Sequence, residues 1–232
     1  MEWSQEVRQT MSWNGAISNR EAKEKVAAQL AEKVKEGDVI GFGSGSTSLL
    51  AALAIAKRVK EEGLHITAVP TSQEMQIHCD VLGIPTATLM QKKPDWCFDG
   101  ADEVDPHGWL IKGRGGAMYR EKLVMACSAQ RYILVDASKM VQSLGEKFSI
   151  PVECQFEAAN HVREELFRLG AEDVVLRLAK AKDGPVITEH GNFILDARFT
   201  NVQEDLEAKL IQIVGVVETG LFIGYNPIIL CS

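Results

Sequence analysis

The stretch Asp38-Val-Ile-Gly-Phe-Gly-Ser-Gly-Ser-Thr47 decides how this chain is read: a short apolar run breaks into a loop of alternating glycines followed by hydroxyl residues. Asp38 to Phe42 predicts a buried strand, and Ser46-Thr47 caps a second helix that runs through Lys60 and stops at Gly63. Upstream, Val26, Leu30 and Val34 recur at helical spacing beside Ala22, Ala27 and Ala31, which predicts an amphipathic helix over Ser18 to Glu36 ending at Gly37. Downstream, Leu64 to Val69 reads as a strand, Gln73 to Leu82 as a helix and Thr86 to Met90 as a third strand. Such alternation implies parallel strands joined by right-handed crossovers.

The pattern continues with a strand at Asp95 to Asp99, a Pro106-His-Gly108 turn and a short strand at Trp109 to Ile111. A glycine loop, a helix to about Ala129 and a strand at Arg131 to Val135 follow. From Pro151 the order changes. Val152 to Gln155 is strand-like, Ala158 to Leu169 helical and Val174 to Leu178 strand-like, and Val186 to Thr188 pairs with Phe193 to Ala197 as a hairpin around His190-Gly191-Asn192. Gln203 to Ile213 is helical and Val216 to Phe222 a strand. The fold class expected is therefore α/β: a Rossmann-like, mostly parallel sheet domain with a second, smaller ferredoxin-like α+β domain. The first comprises residues 1–148 and 223–232, the second residues 149–222. No Gly-, Ser- or Pro-rich linker separates them, and the tail Pro227 to Leu230 is long enough to return to the sheet.

Composition narrows the function. A chain of 232 residues with 46% hydrophobic content can bury an enzyme core. A net charge of −7 with no basic cluster argues against nucleic acid as a partner. The longest apolar run, Leu49 to Ala56, is far short of the roughly 20 residues a membrane span needs, and no apolar signal region opens the chain, so a cytoplasmic protein is expected. Cys79, Cys97, Cys127, Cys154 and Cys231 lack a Cys-x-x-Cys pair and read as buried thiols. His65, His78, His107, His161 and His190 have no spacing that would place two imidazoles on one metal. No metal and no cofactor is expected.

Chemistry concentrates in Asp95-Trp-Cys-Phe-Asp-Gly-Ala-Asp-Glu-Val-Asp105 and Leu110-Ile-Lys-Gly-Arg-Gly-Gly-Ala-Met-Tyr-Arg-Glu121. Asp99 and Asp102 flank Gly100-Ala101 where a strand gives way to a turn, so their carboxylates emerge at a strand's carboxyl end, where open α/β sheets bind ligands. Lys112 opens a glycine-rich loop, Gly113-Arg-Gly-Gly116, that can bring backbone N–H groups close to an anion. Glu121, just beyond, could take a proton from a carbon beside a carbonyl while the lysine and loop donors hold the enediolate oxygen. The acids from Asp99 to Asp105 could instead form a solvated turn or an oxygen-ligand magnesium site. Glu103 and Asp105 read as surface residues. The loop after the first strand is not a P-loop, because Gly-x-x-x-x-Gly-Lys is missing, yet Ser44, Gly45, Ser46 and Thr47 place hydroxyls and N–H groups at a helix N-terminus, where a phosphate is satisfied.

These segments resemble the signature of the type A ribose-5-phosphate isomerase family, in which an Asp-Gly-Ala-Asp-Glu turn, a Lys-Gly-rich loop and an Arg-Glu-Lys helix start follow one another. Gly41-Phe-Gly-Ser-Gly-Ser-Thr47, Asp136-Ala-Ser-Lys139 and Gly215-Val-Val-Glu-Thr-Gly-Leu-Phe222 are similar to its other motifs. The resemblance implies that Glu121 is the base, that Asp99 and Asp102 handle hydroxyl protons and that Lys112 is catalytic. It implies that Ser44 to Thr47, Asp99, Gly100, Ala101, Asp102, Lys112, Gly113, Arg114, Gly115 and Lys139 contact substrate, with Lys23 on the first helix matching a lysine that can approach the phosphate, whereas its place on the helix alone reads as an exposed cation. Arg114 stands where the family more often has glycine, and Ser44 where it more often has threonine. A homodimer or homotetramer acting on a small sugar phosphate is implied. The rival readings are a non-catalytic sugar-phosphate sensor, for which about 17 residues before the first helix leave no room for a DNA-reading module, and an acyl-group transferase with glutamate as nucleophile.

Overall fold

A computed structural model describes residues 16–232; residues 1–15, at the start of the expected first domain, lie outside the described residues. The chain forms two compact units. The first takes the chain up to Gly100 together with Val124–Ala137 and Pro227–Ser232, and the second takes Ala101–Leu123 and Ser138–Asn226. Residues 101–123, 138–148 and 223–226, expected with the parallel sheet, are compact with the second unit.

In the first unit the elements are α1 (Arg20–Ala31), β1 (Val39–Phe42), α2 (Gly45–Glu62), β2 (Thr67–Pro70), α3 (Gln73–Leu82), β3 (Trp96–Gly100), β6 (Gln130–Val135) and β12 (Ile228–Cys231). The sheet order is β12-β6-β3-β1-β2, and every pairing is parallel. Parallel strands covered on both faces are apolar along their length, as β1 and the Trp96–Phe98 part of β3 are, and their Phe42 and Phe98 rings meet at 4.8 Å in a core shared with Leu30, Ile40 and Ile55. Each such side chain contributes about 1.5 to 3 kcal/mol through burial. The tail does return: Ile228 to Cys231 registers against Tyr132 to Val135.

Three expectations change here. The first helix ends at Ala31, five residues early, because the N–H groups of Lys33 and Val34 bond back three residues and tighten the last turn. The second helix starts at Gly45 with Ser44 at its N-cap, so Ser46 and Thr47 lie inside its first turn. Thr86 to Met90 is no strand: a single bridge joins Thr86 to Ala68, Thr88 closes a turn on the Gln91 side chain, and Met90 is 96% exposed.

The second unit contains β4 (Glu103–Val104), β5 (Leu110–Ile111), the first turns of α4 (Met118–Cys127), β7 (Ile150–Cys154), α5 (Ala159–Arg168), β8 (Asp173–Leu176), β9 (Phe193–Arg198), α6 (Leu206–Ile211), β10 (Val216–Thr219) and β11 (Leu221–Phe222). Its larger sheet is antiparallel with order β10-β7-β9-β8, and β7-α5-β8-β9-α6-β10 is the ferredoxin-like succession. Ile150, Val152 and Cys154 on one face pack with Val162 and Leu166 of α5 and Leu210 of α6. Val186 to Thr188 does not pair with β9, because β8 and β7 occupy its two edges; Thr188 instead closes a turn with Asn192 and sends its hydroxyl to Glu153. The closing strand is broken at Gly220. A side chain there would meet the Lys112 carbonyl 2.3 Å away, and the break sends β11 into a separate three-stranded sheet, β11-β5-β4.

No helix among the described residues is long and apolar enough to cross a membrane. Cys79, Cys97 and Cys154 are buried, and burial pushes the Cys79 thiol up to about 12 and the Cys154 thiol up to about 11. Cys127 is half-buried and Cys231 exposed, so the expectation of buried thiols holds for three of the five.

Candidate active site

Within the first unit, Asp99, Ser44 and Thr71 stand at the carboxyl ends of β3, β1 and β2. Asp99 is buried on the central strand. Its Oδ1 accepts from the backbone N–H groups of Ser44 (3.2 Å) and Gly100 (2.7 Å) and from the Ser48 hydroxyl (3.1 Å). Donors aimed at one carboxylate oxygen hold it in a single orientation. Gly43 makes that approach possible, since a Cβ there would lie 2.3 Å from the Asp99 carboxylate. The Ser44 hydroxyl does not cap its helix but shares a 2.7 Å hydrogen bond with Thr71. Gly45 to Thr47 therefore present the first turn of an 18-residue helix, with its positive dipole end, at the sheet's carboxyl edge.

Lys23 is buried rather than an exposed cation on a helix face. Its Nζ donates to Ser46 Oγ at 3.2 Å and lies 3.5 Å from Ser18 Oγ, and only 6% of the residue is exposed. An ammonium group is thus held beside the hydroxyls of the glycine loop. Gly100 faces Thr47, whose Cβ would lie 3.7 Å from an added side chain.

Within the second unit, Lys112 and Glu121 form a buried ion pair: Nζ to Oε2 is 3.2 Å, with 4% and 6% of the side chains exposed. The Lys112 backbone N–H donates to the Gly220 carbonyl, and its ammonium lies 5.6 Å from the centre of the fully buried Phe222 ring. Residues 113–116 form a tight turn closed by Gly116 N–H to Gly113 O at 3.0 Å, with Gly113 at φ +95°. The Arg114 N–H donates to Asp102 Oδ2 at 3.3 Å, which ties the acid to the loop. The Arg114 guanidinium and the Lys139 ammonium both lie over the Phe148 ring, at 5.3 and 5.2 Å. Two cations on one ring form a positive patch.

Glu103 and Asp105 overturn their expected surface placement. Glu103 is fully buried and accepts from the N–H groups of Gly145, Lys147 and Phe148 at 2.6 to 2.7 Å; Asp105 caps the turn to Trp109. Both are structural acids. No group of three His, Cys, Asp or Glu among the described residues is arranged to hold a metal. Ser48, Thr71 and Phe148 complete the surroundings of Asp99, Ser44 and Lys139. Nothing in the sequence marks out Thr71 or Phe148; Ser48 carries a signal only as the residue after the glycine loop.

The family model described as ribose 5-phosphate isomerase A (phosphoriboisomerase A) matches residues 67–232, a span that includes the acidic turn, the Lys112 loop and Glu121. The chain belongs to the ribose 5-phosphate isomerase A family. Curated relatives of that name extend the likeness across the Ser44 to Thr47 loop: one from Methanocaldococcus jannaschii is 43% identical over 209 residues, covering 89% of this chain and 92% of its own length. One from a Synechococcus strain is 42% identical over 212 residues, covering 90% and 91%. Among solved structures, ribose 5-phosphate isomerase A from M. jannaschii superposes with a TM-score of 0.88 at 41% identity, covering 92% of this chain and 95% of that one. A D-ribose-5-phosphate isomerase in complex with phospho-erythronic acid gives 0.86 at 39% identity, covering 90% and 93%. As a member of the ribose 5-phosphate isomerase A family, the chain is an aldose–ketose isomerase in class.

Proposed function

We propose that this chain interconverts D-ribose 5-phosphate and D-ribulose 5-phosphate through an enediolate, the isomerisation step of the non-oxidative pentose phosphate pathway. The observation that carries the reading is the buried Lys112–Glu121 pair. A carboxylate held against an ammonium away from water is placed to exchange a carbon-bound proton while the cation meets the charge that develops on the neighbouring oxygen.

In this reading Asp99 and Asp102, with the backbone of Gly100 and Ala101, assist opening of the furanose ring by moving hydroxyl protons. Glu121 then removes the proton from C2 of the open aldehyde. The electron pair passes into the C1–C2 bond and the C1 oxygen becomes an oxyanion, facing Lys112 and the turn Gly113, Arg114 and Gly115. One hydroxyl proton moves from O2 to O1, Glu121 returns its proton to C1, and the ketose is complete. Ser44, Gly45, Ser46, Thr47, Lys23 and Lys139 bind substrate and its phosphate.

Phospho-erythronic acid, the ligand of one related structure, joins a phosphate to a planar carboxylate, so its charge distribution is that of an enediolate phosphate. A sensor without catalysis would have no use for a glutamate paired with a lysine beside donor-rich backbone. The cytoplasm is the proposed compartment. A homodimer or homotetramer is proposed through the second unit, where Val175 on the edge strand β8 and the nearby Leu178 and Ile187 are exposed. The deciding experiment is a coupled assay with ribose 5-phosphate on the wild-type chain and on Glu121→Gln; turnover absent from the wild type would end the reading.

A further inference from the structure

Arg177 follows β8 directly, far in sequence from the residues assigned to substrate, and its guanidinium spans two partners. On one side its Nε donates to Asp196 Oδ2 at 2.8 Å and its Nη2 to Asp196 Oδ1, a bidentate pair in which 15% of the arginine side chain and 28% of the aspartate are exposed. On the other side its Nη1 donates to the Gly113 carbonyl at 2.9 Å and to the Arg114 carbonyl at 3.0 Å. The aspartate fixes the fork, and the fork holds two successive carbonyls of the turn that follows Lys112.

The consequence comes from peptide geometry. In a planar trans peptide the C=O and the N–H of the next residue point in opposite directions. Holding the Gly113 carbonyl toward Arg177 therefore turns the Arg114 N–H away from it, and holding the Arg114 carbonyl does the same for the Gly115 N–H. The Arg114 N–H is found on that opposite side, donating to Asp102. We infer that Arg177, locked by Asp196, is a positioning residue for the isomerisation: it fixes the turn so that the Arg114 N–H holds Asp102 and the Gly115 N–H, directed away from Arg177, is preset to meet the enediolate charge. Preset donors contribute mainly in the transition state. The inference rests on the proposed isomerisation.

The test compares Arg177→Ala, Arg177→Lys and Asp196→Asn with the wild type in steady-state kinetics, in binding of phospho-erythronic acid, and in thermal unfolding. Loss of a preset oxyanion donor costs about 10² to 10³ in kcat, so a misaimed loop in Arg177→Ala is expected to lose roughly 10- to 100-fold in kcat with KM for ribose 5-phosphate changed less than about threefold. Phospho-erythronic acid should weaken in parallel with kcat/KM. Arg177→Lys, a point charge that cannot serve a carboxylate and two carbonyls together, should retain only part of the activity, as should Asp196→Asn. Millimolar guanidinium should restore part of the rate to Arg177→Ala and none to Glu121→Gln. A folded Arg177→Ala with kcat within twofold of wild type would overturn the inference, as would losses that follow unfolding alone with no recovery from lysine or guanidinium. Either result leaves the isomerase reading standing; that reading fails instead if the wild type does not turn over ribose 5-phosphate.

Discussion

Lys112 Nζ lies 3.2 Å from Glu121 Oε2, and the two side chains, nine residues apart, are almost wholly withdrawn from water. Burying both ions is costly unless each is satisfied by the other, so removing one partner leaves an uncompensated charge. In the proposed mechanism its two members have separate tasks. Glu121→Gln keeps the shape and removes the basicity, and its kcat should fall by at least about 10² while phospho-erythronic acid still binds. Near-normal turnover, with contaminating wild-type enzyme ruled out, would remove Glu121 from the mechanism.

The phosphate lies at the far end of the sugar from C1 and C2, so its binding energy is spent on positioning the reacting carbons. Thr47→Ala should cost roughly 1 to 3 kcal/mol in kcat/KM for ribose 5-phosphate, the loss expected for a charge-assisted hydrogen bond, and should barely change the already poor use of free ribose. Equal proportional losses for the two sugars would show that this loop does not read the phosphate.

Gly43 and Gly63 separate two ways in which a glycine is needed. A Cβ at Gly43 would sit 2.3 Å from the Asp99 carboxylate, so Gly43→Ala must displace that acid and should lower kcat/KM by more than about tenfold if each misplaced catalytic group costs what general acid–base chemistry supplies. Gly63, at φ +68° at the end of α2 with open space around it, should lose only about 1 kcal/mol of stability as alanine, with activity unchanged. Chemical denaturation and kinetics on both variants check the contrast.

Glu103 accepts three backbone N–H groups from 145–148, the segment that carries Phe148 beneath Arg114 and Lys139. Glu103→Ala would strand those donors in the interior and should destabilise the protein by about 3 kcal/mol or more. An unchanged denaturant midpoint would refute this account of the segment.

Thiol chemistry gives a test that does not depend on the reaction. Burial raises Cys79 to about 12 and Cys154 to about 11, so neither is thiolate at pH 8 in the folded chain. A disulfide reagent should modify Cys231 first and reach Cys79 and Cys154 only on unfolding. The sign for stability follows: each buried thiol favours folding fully below the unfolded value of 9.0, and that contribution fades as pH rises toward the folded value. Peptide mapping after brief labelling, and denaturation at pH 8 and 10, read the two effects.

The sequence by itself determined the alternation of strand and helix, the carboxyl-edge position of Ser44 and Asp99, and the grouping of Lys112 with Glu121, because each rests on spacing within about a dozen residues or on a local glycine pattern. Tertiary structure decided what depends on partners distant in the chain. Glu103 reads as a solvated acid until residues 145–148 fold over it, and Lys23 as a surface cation until Ser46 is beside it. Thr86 to Met90 has the composition of a strand but gains only one bridge. Val216 to Phe222 looks continuous until Gly220 meets the Lys112 carbonyl and divides it between two sheets. Periodicity reports which face of an element is apolar; whether a polar group is buried, and what it then holds, depends on hydrogen bonds to residues that only folding brings near.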